Sequence, residues 1–246
     1  MRATINGLSF DEWPRDYDES FVIEPGGLTG WFGGVEPRRD EASRPLADGS
    51  FDATTFMSSR VVGIQGHILA SSPAVLMSRV DQLNGLLSDG STGRLSVQDE
   101  HGNVTWADVR LAAATKVSRL PSGREATFQV QFWAPDPRRY GELRSFSNGN
   151  NVFHRGNAPA FPVVRIGTGG ASYDVTWQGR TFRVSGATSG GVHRIDMRTG
   201  RLTRNGVPVL GAVTRAETSA LPPGARWNYS LSPSRAFTVE VHDTFF

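Results

Sequence analysis

Only one stretch of this 246-residue chain carries a helical period, and that restricts how it can build a core. Ser71 or Ser72 offers a capping oxygen and Pro73 suits a first helical turn. Leu76, Val80, Leu83 and Leu87 then recur at helical spacing until Asp89-Gly90 ends the run. Everywhere else apolar residues come in short runs punctuated by glycine and proline, which is the pattern of strands and turns. The expected fold class is therefore mainly β: a β-rich first half with one α-helix, followed by a β-sandwich.

In the first half, residues 4–10 and 21–24 read as strand-like runs separated by an acidic, aromatic loop from Asp11 to Asp18. Gly26, Gly27, Gly30, Gly33 and Gly34 crowd around Trp31 and Phe32, as in a run of turns or bulges. Residues 36–52 are polar and aperiodic and read as an extended loop or arm. Residues 60–70, 94–98, 104–111 and 126–133 return to strand character, with His101-Gly102-Asn103 as a turn. Alternation is cleanest where Phe128, Val130 and Phe132 share one face and Thr127, Gln129 and Gln131 the other.

Ala134-Pro135-Asp136-Pro137-Arg138-Arg139-Tyr140 forms a boundary, because proline cannot donate to a ladder and restricts the residue before it. Beyond it there is no helical period. Short runs at 163–166, 173–177, 180–184, 191–196, 201–203, 227–231 and 236–241 have the spacing of a sandwich. Thr199-Gly200 and Asn205-Gly206 are hairpin turns. Two domains are expected, 1–139 and 140–246.

Composition removes several function classes. The absence of cysteine excludes disulfides, thiolate metal sites and cysteine nucleophiles. No apolar run approaches the ~18–20 residues of a membrane span, and the first residues lack the apolar region of a signal peptide. Lys+Arg of 26 against Asp+Glu of 24 gives +2, yet the isoelectric point is 9.4. Lys116 is the sole lysine, so arginine carries nearly all the positive charge, and arginine does not titrate in this range. Because basic residues alternate with acids, as in Glu36-Pro37-Arg38-Arg39-Asp40-Glu41, no clustered basic face for nucleic acid is expected.

A search for catalytic groups finds little. His67, His101, His154, His193 and His242 have no metal-ligand spacing, and period two puts His193 and Asp196 on opposite strand faces. Thr188-Ser189-Gly190-Gly191 reads as a glycine-rich turn. Gly167-Thr168-Gly169-Gly170 lacks the lysine and following helix of a phosphate loop. Asp16/Asp18, Asp99/Glu100 and Glu240/Asp243 are carboxylate pairs by proximity only, so a hydrolase is a distant third reading. Trp177, Trp227 and Tyr229 are the candidate aromatics for a sugar-stacking or partner-docking surface, although such residues more often fill a core.

Several segments, taken in order, resemble the distal tail protein (Dit) family of long-tailed bacteriophages, in the form of the minor tail proteins of actinobacteriophages. They are Gly27-Leu28-Thr29-Gly30-Trp31-Phe32, residues 44–52 (RPLADGSFD), 60–64 (RVVGI), 82–87 (QLNGLL), 128–140 (FQVQFWAPDPRRY), 156–162 (GNAPAFP) and 195–200 (IDMRTG). The resemblance implies an N-terminal ring-forming belt domain and a C-terminal galectin-like sandwich. It implies a homohexameric ring at the distal end of the virion tail, made in the host cytoplasm. Its partners would be the tail tube protein, the tape measure protein, the tail-associated tip protein and a receptor-binding protein. DNA would cross the lumen without specific binding, and no membrane is inserted. The family brings no catalytic residue, cofactor or metal.

A closed ring requires two different patches of one subunit to meet head to tail. Phe21, Val22, Arg38, Arg39 and Arg44 are the candidates for that reach, with Trp31 and Phe32 as anchors. The alternative reading is a galectin-like module that binds host surface glycans.

Overall fold

The computed structural model describes residues 1–12 and 20–246. Most of the Asp11–Asp18 loop, including the Asp16/Asp18 pair, lies outside the described residues. Contacts divide the chain into Met1–Arg139 with Phe246, and Tyr140–Phe245.

The first unit contains β1 (Arg2–Ile5), β2 (Leu8–Asp11), β3 (Ser20–Thr29), β4 (Pro37–Arg38), β5 (Phe56–Met57) and β6 (Arg60–Leu69). After these come α1 (Pro73–Gly85), β7 (Gly93–Gln98), β8 (Val104–Leu111), β9 (Lys116–Arg119) and β10 (Glu125–Ala134). Seven strands close on themselves in the order β1-β2-β3-β6-β10-β8-β7, with β7 returning to β1. Closure removes most of the sheet edge and leaves one interior to fill. Phe10, Phe21 and Phe128 meet there with ring centroids 5.3, 5.6 and 6.0 Å apart. They lie near Ile64, Val130 and Phe132 in the same core.

Residues 4–10 are not one strand. Asn6 and Gly7, at φ 46° and 82°, form a two-residue turn between β1 and β2, and that backbone shape favours this Asn-Gly pair. The glycine-rich stretch after residue 25 is partly strand. The register of β3 against β6 shifts between Ile23 and Leu28, so the glycines serve a bulge inside β3.

In α1, Ser72 caps the first turn by accepting from Val75 N at 3.3 Å, and Leu76, Val80 and Leu83 are buried. The helix stops at Gly85, earlier than Asp89-Gly90. Leu87 is still buried, but from a left-handed backbone at φ 54° beyond the helix.

Residues 36–58 are a ribbon and not a featureless loop. β4 pairs with β5, Phe51 N donates to Ala42 O at 2.9 Å, and Arg44 N donates to Gly49 O at 3.1 Å.

The second unit contains β11 (Arg139–Ser147), β12 (Val163–Ile166), β13 (Tyr173–Trp177), β14 (Arg180–Val184) and β15 (His193–Asp196). It continues with β16 (Arg201–Arg204), β17 (Val207–Pro208), β18 (Val213–Ala216), β19 (Tyr229–Ser232) and β20 (Phe237–Phe245). One sheet runs β17-β16-β15-β12-β20-β11 and the other β18-β14-β13-β19. Inward residues of both, among them Val164, Val175, Phe182, Ile195 and Val239, make the core. Three strands, β9, β11 and β18, have no clean apolar alternation, and the sequence patterning misses them.

Candidate functional site

The proposed ring residues fall into two groups. Trp31 is fully buried inside its own subunit, and its indole N–H donates to Thr105 Oγ1 at 3.2 Å. It cannot anchor a neighbour, because its ring already packs in the barrel core. Phe21 is likewise committed to the Phe10–Phe128 cluster. Val22 is half-buried on β3, opposite His67. Phe32 is 55% exposed, and Arg38, Arg39 and Arg44 are exposed on the ribbon. The ribbon also leaves Leu46, Phe51, Phe56 and Met57 in solvent, with the Arg44 guanidinium 5.9 Å from the Phe51 ring centre. A two-stranded ribbon with its apolar side chains uncovered is marginal by itself.

The loop carrying Trp31 is held from inside by Arg60, which sequence reasoning did not single out. Arg60 Nη1 donates to the carbonyls of Gly30 at 2.6 Å, Trp31 at 2.9 Å and Gly33 at 3.0 Å, and Nε donates to Pro137 O at 3.0 Å. Burial lowers the pKa of Arg60 from its ordinary value. Burial, aided by the nearby Arg60 charge, pushes Arg139 down to about 10. A signal was available: Arg60 has the same strand parity as buried Val62 and Ile64, so period two aims it inward.

The sandwich aromatics do not form an exposed platform. Trp177 and Tyr229 are 2% and 3% exposed and stack on each other at 5.5 Å with a 20° tilt. The Trp177 indole N–H is satisfied by Ser219 Oγ at 2.7 Å, and half-buried Trp227 packs against the same core. Cross-strand pairing of Trp177 with Tyr229 brings these residues together on the inward face, where a sugar ring cannot reach them.

Among the described residues, the Asp99/Glu100 and Glu240/Asp243 pairs assemble no acid–base site. Asp99 organises a turn through Asn103, which holds its carboxyl below the usual range. Glu240 and Asp243 sit on opposite faces of β20. Asp243 takes both oxygens to Arg144 at 2.8 Å and accepts from Arg155 N at 2.7 Å. Burial alone would raise its pKa, but those bonds outweigh it and hold the carboxyl low. Among the described residues no group of three or more metal-ligating side chains converges.

Two buried histidines complete the polar interior. His193 Nε2 donates to Thr188 O at 3.2 Å, leaving Nδ1 to accept from the Tyr173 hydroxyl at 3.0 Å. Gly169 lies flat against that ring, and an added Cβ would sit 2.2 Å from it. His154 lies between Leu221 O at 3.2 Å and Gly156 N at 3.1 Å. Burial lowers the pKa of both histidines.

A group kept neutral in this way binds fewer protons folded than unfolded, so stability falls as pH drops through the unfolded value of ~6.5. Asp243, depressed in the folded state, adds a second loss as pH falls through its own folded pKa. The expected outcome is a second unit that melts lower at pH 5 than at pH 7.5. His193→Gln should flatten that dependence, as checked by calorimetry. An unchanged slope in the variant would remove His193 as its source.

No protein-family model and no curated protein matches the chain. Solved structures do. The crystal structure of SPP1 Dit (gp 19.1), a paradigm of the hub adsorption apparatus in Gram-positive-infecting phages, aligns with a TM-score of 0.78. The alignment covers 100% of this chain and 99% of that one, at 15% identity. The chain has the Dit fold. The activated baseplate of phage P2 contains a chain that matches with a TM-score of 0.52 at 9% identity, over 97% of both chains. The alignment with SPP1 Dit spans both units of this chain. At such identities it is a likeness of backbone and not of side chains.

Proposed function

We propose that this chain is the structural hub subunit of a siphophage tail tip. Six copies close into a ring that joins the tail tube to the tip proteins, with a lumen wide enough for DNA. The observation that carries this reading is the end-to-end match to a hub adsorption protein, both units included. The work of such a subunit is assembly, so its functional residues are those that meet neighbours. The ribbon at residues 36–58 is the reaching element. Its Leu46, Phe51 and Phe56 lack cover within the subunit, and a neighbouring copy supplies it. Exposed Phe32 adds to the same contact. The second unit offers a docking face for tip or receptor-binding proteins.

Negative-stain electron microscopy of the concentrated protein tests the reading directly. Sixfold rings of about 160 kDa, from subunits of 26.7 kDa, are expected. Replacing residues 39–55 with a short Gly-Ser linker should abolish the rings and leave the melting of the barrel unchanged. Intact rings from that variant would show that the ribbon is not the joint.

A further inference from the structure

The geometry points to the outer face of β20-β12-β15-β16 as a docking groove for an extended acidic segment of a partner protein. This inference rests on the hub reading and names the chemistry of one of its contacts. The groove encloses about 590 Å³ and is lined chiefly by Arg165, Arg194, Asp196, Arg201, Thr203 and Glu240. Strand register arranges these side chains in two rows across the sheet. One row runs Glu240, Val163, Asp196, Arg201, and the other Thr238, Arg165, Arg194, Thr203.

Arg165 and Arg194 are therefore directly opposed on neighbouring strands, a like-charge pairing that destabilises a sheet. Arg165 is partly offset by Glu240 at 3.8 Å. Among the described residues no acid forms an ion pair with Arg194 or Arg201, although Asp196 lies opposite Arg201 across the sheet, whereas Arg183 on the other sheet is held by Asp174 through two bonds of 2.8 Å. Two guanidinium forks without an ion-pair partner in the lining of this groove match carboxylates in geometry as well as charge.

The same lining discriminates among anions. No aromatic side chain of the described residues lines the groove, so a sugar ring meets none there to stack on. Asp196 and Glu240 interrupt the positive charge and repel a polymer charged at every unit, such as polyphosphate or nucleic acid. A peptide with spaced acids suits this alternation.

The test uses the full chain and a fluorescein-labelled ten-residue peptide of alternating glutamate and glycine, read by anisotropy at low salt. Binding is expected, weakening as salt rises, with a loss of at least ~10-fold in Arg194→Ser/Arg201→Ser and none in Arg183→Ser. Three results would each overturn the assignment: no binding of the peptide, equal binding by the double variant, or tighter arginine-dependent binding of polyphosphate than of peptide. Ring formation is scored in the same preparations by microscopy. Rings without peptide binding would remove the groove and keep the hub; peptide binding with rings absent would bear on the hub alone.

Discussion

Trp31→Ala should strongly destabilise the barrel rather than merely weaken assembly. The side chain is fully buried, and its removal strips out the indole together with the hydrogen bond to Thr105. Large-to-small changes of this kind cost about 3–5 kcal/mol, because the cavity left behind relaxes only in part. For a unit of this size that corresponds to a fall in melting temperature of about 10–20 °C. Phe32→Ala, one residue on, removes a ring that is 55% exposed and should shift melting by no more than ~2 °C. It should instead reduce the yield of rings. Calorimetry and microscopy on the two single variants separate the effects. If Trp31→Ala melted like the parent, the burial argument would be wrong.

Arg60→Met is the second substitution with a large expected effect, and here two terms compete. Burying a guanidinium is costly, as its lowered pKa reflects, and methionine would relieve that cost. Against this stand the contacts to Gly30, Trp31 and Gly33, which share the two hydrogens of Nη1, and the bond from Nε to Pro137, a full bond from a charged donor being worth about 1.5–3 kcal/mol. Methionine fills the volume but leaves these carbonyls without their donor, so the loss outweighs the relief, and the net destabilisation expected is about 3–5 kcal/mol. Arg60→Lys should rescue only part, because one ammonium cannot span four acceptors set around a planar fork. Hydrogen exchange should place the damage at residues 28–34 and 60–64, with Val164 and Val239 in the sandwich still protected. Uniform loss of protection, or none, would contradict the idea that Arg60 acts as a local clamp.

These two residues also show where reading the chain succeeded and where it stopped. The helix at 73–85, the strands around Val130 and Ile64, and the sandwich hairpin at Asn205-Gly206 were legible because each obeys a local rule. The rules are a cap and a 3.6 period, a period of two, and a turn that needs two positive φ angles. Strands such as Lys116–Arg119 and Arg139–Ser147 were not legible, since they are specified by the partners they lie beside and not by their own alternation.

The candidate surface divides in the same way. That Phe21, Trp31, Trp177 and Tyr229 are large and apolar is written in the chain. Whether each faces solvent or core depends on residues far away in sequence, such as Thr105 for Trp31 and Ser219 for Trp177. Likewise, Arg165 and Arg194 lie 29 positions apart with nothing local to join them, and only the register of β12 on β15 makes them opposite neighbours. Local chemistry by itself determined a mainly β chain with one capped helix, no thiol chemistry and an arginine-based charge. Long-range pairing decided which aromatics are buried and which arginines meet, because burial and cross-strand distance are properties of register and not of spacing along the chain.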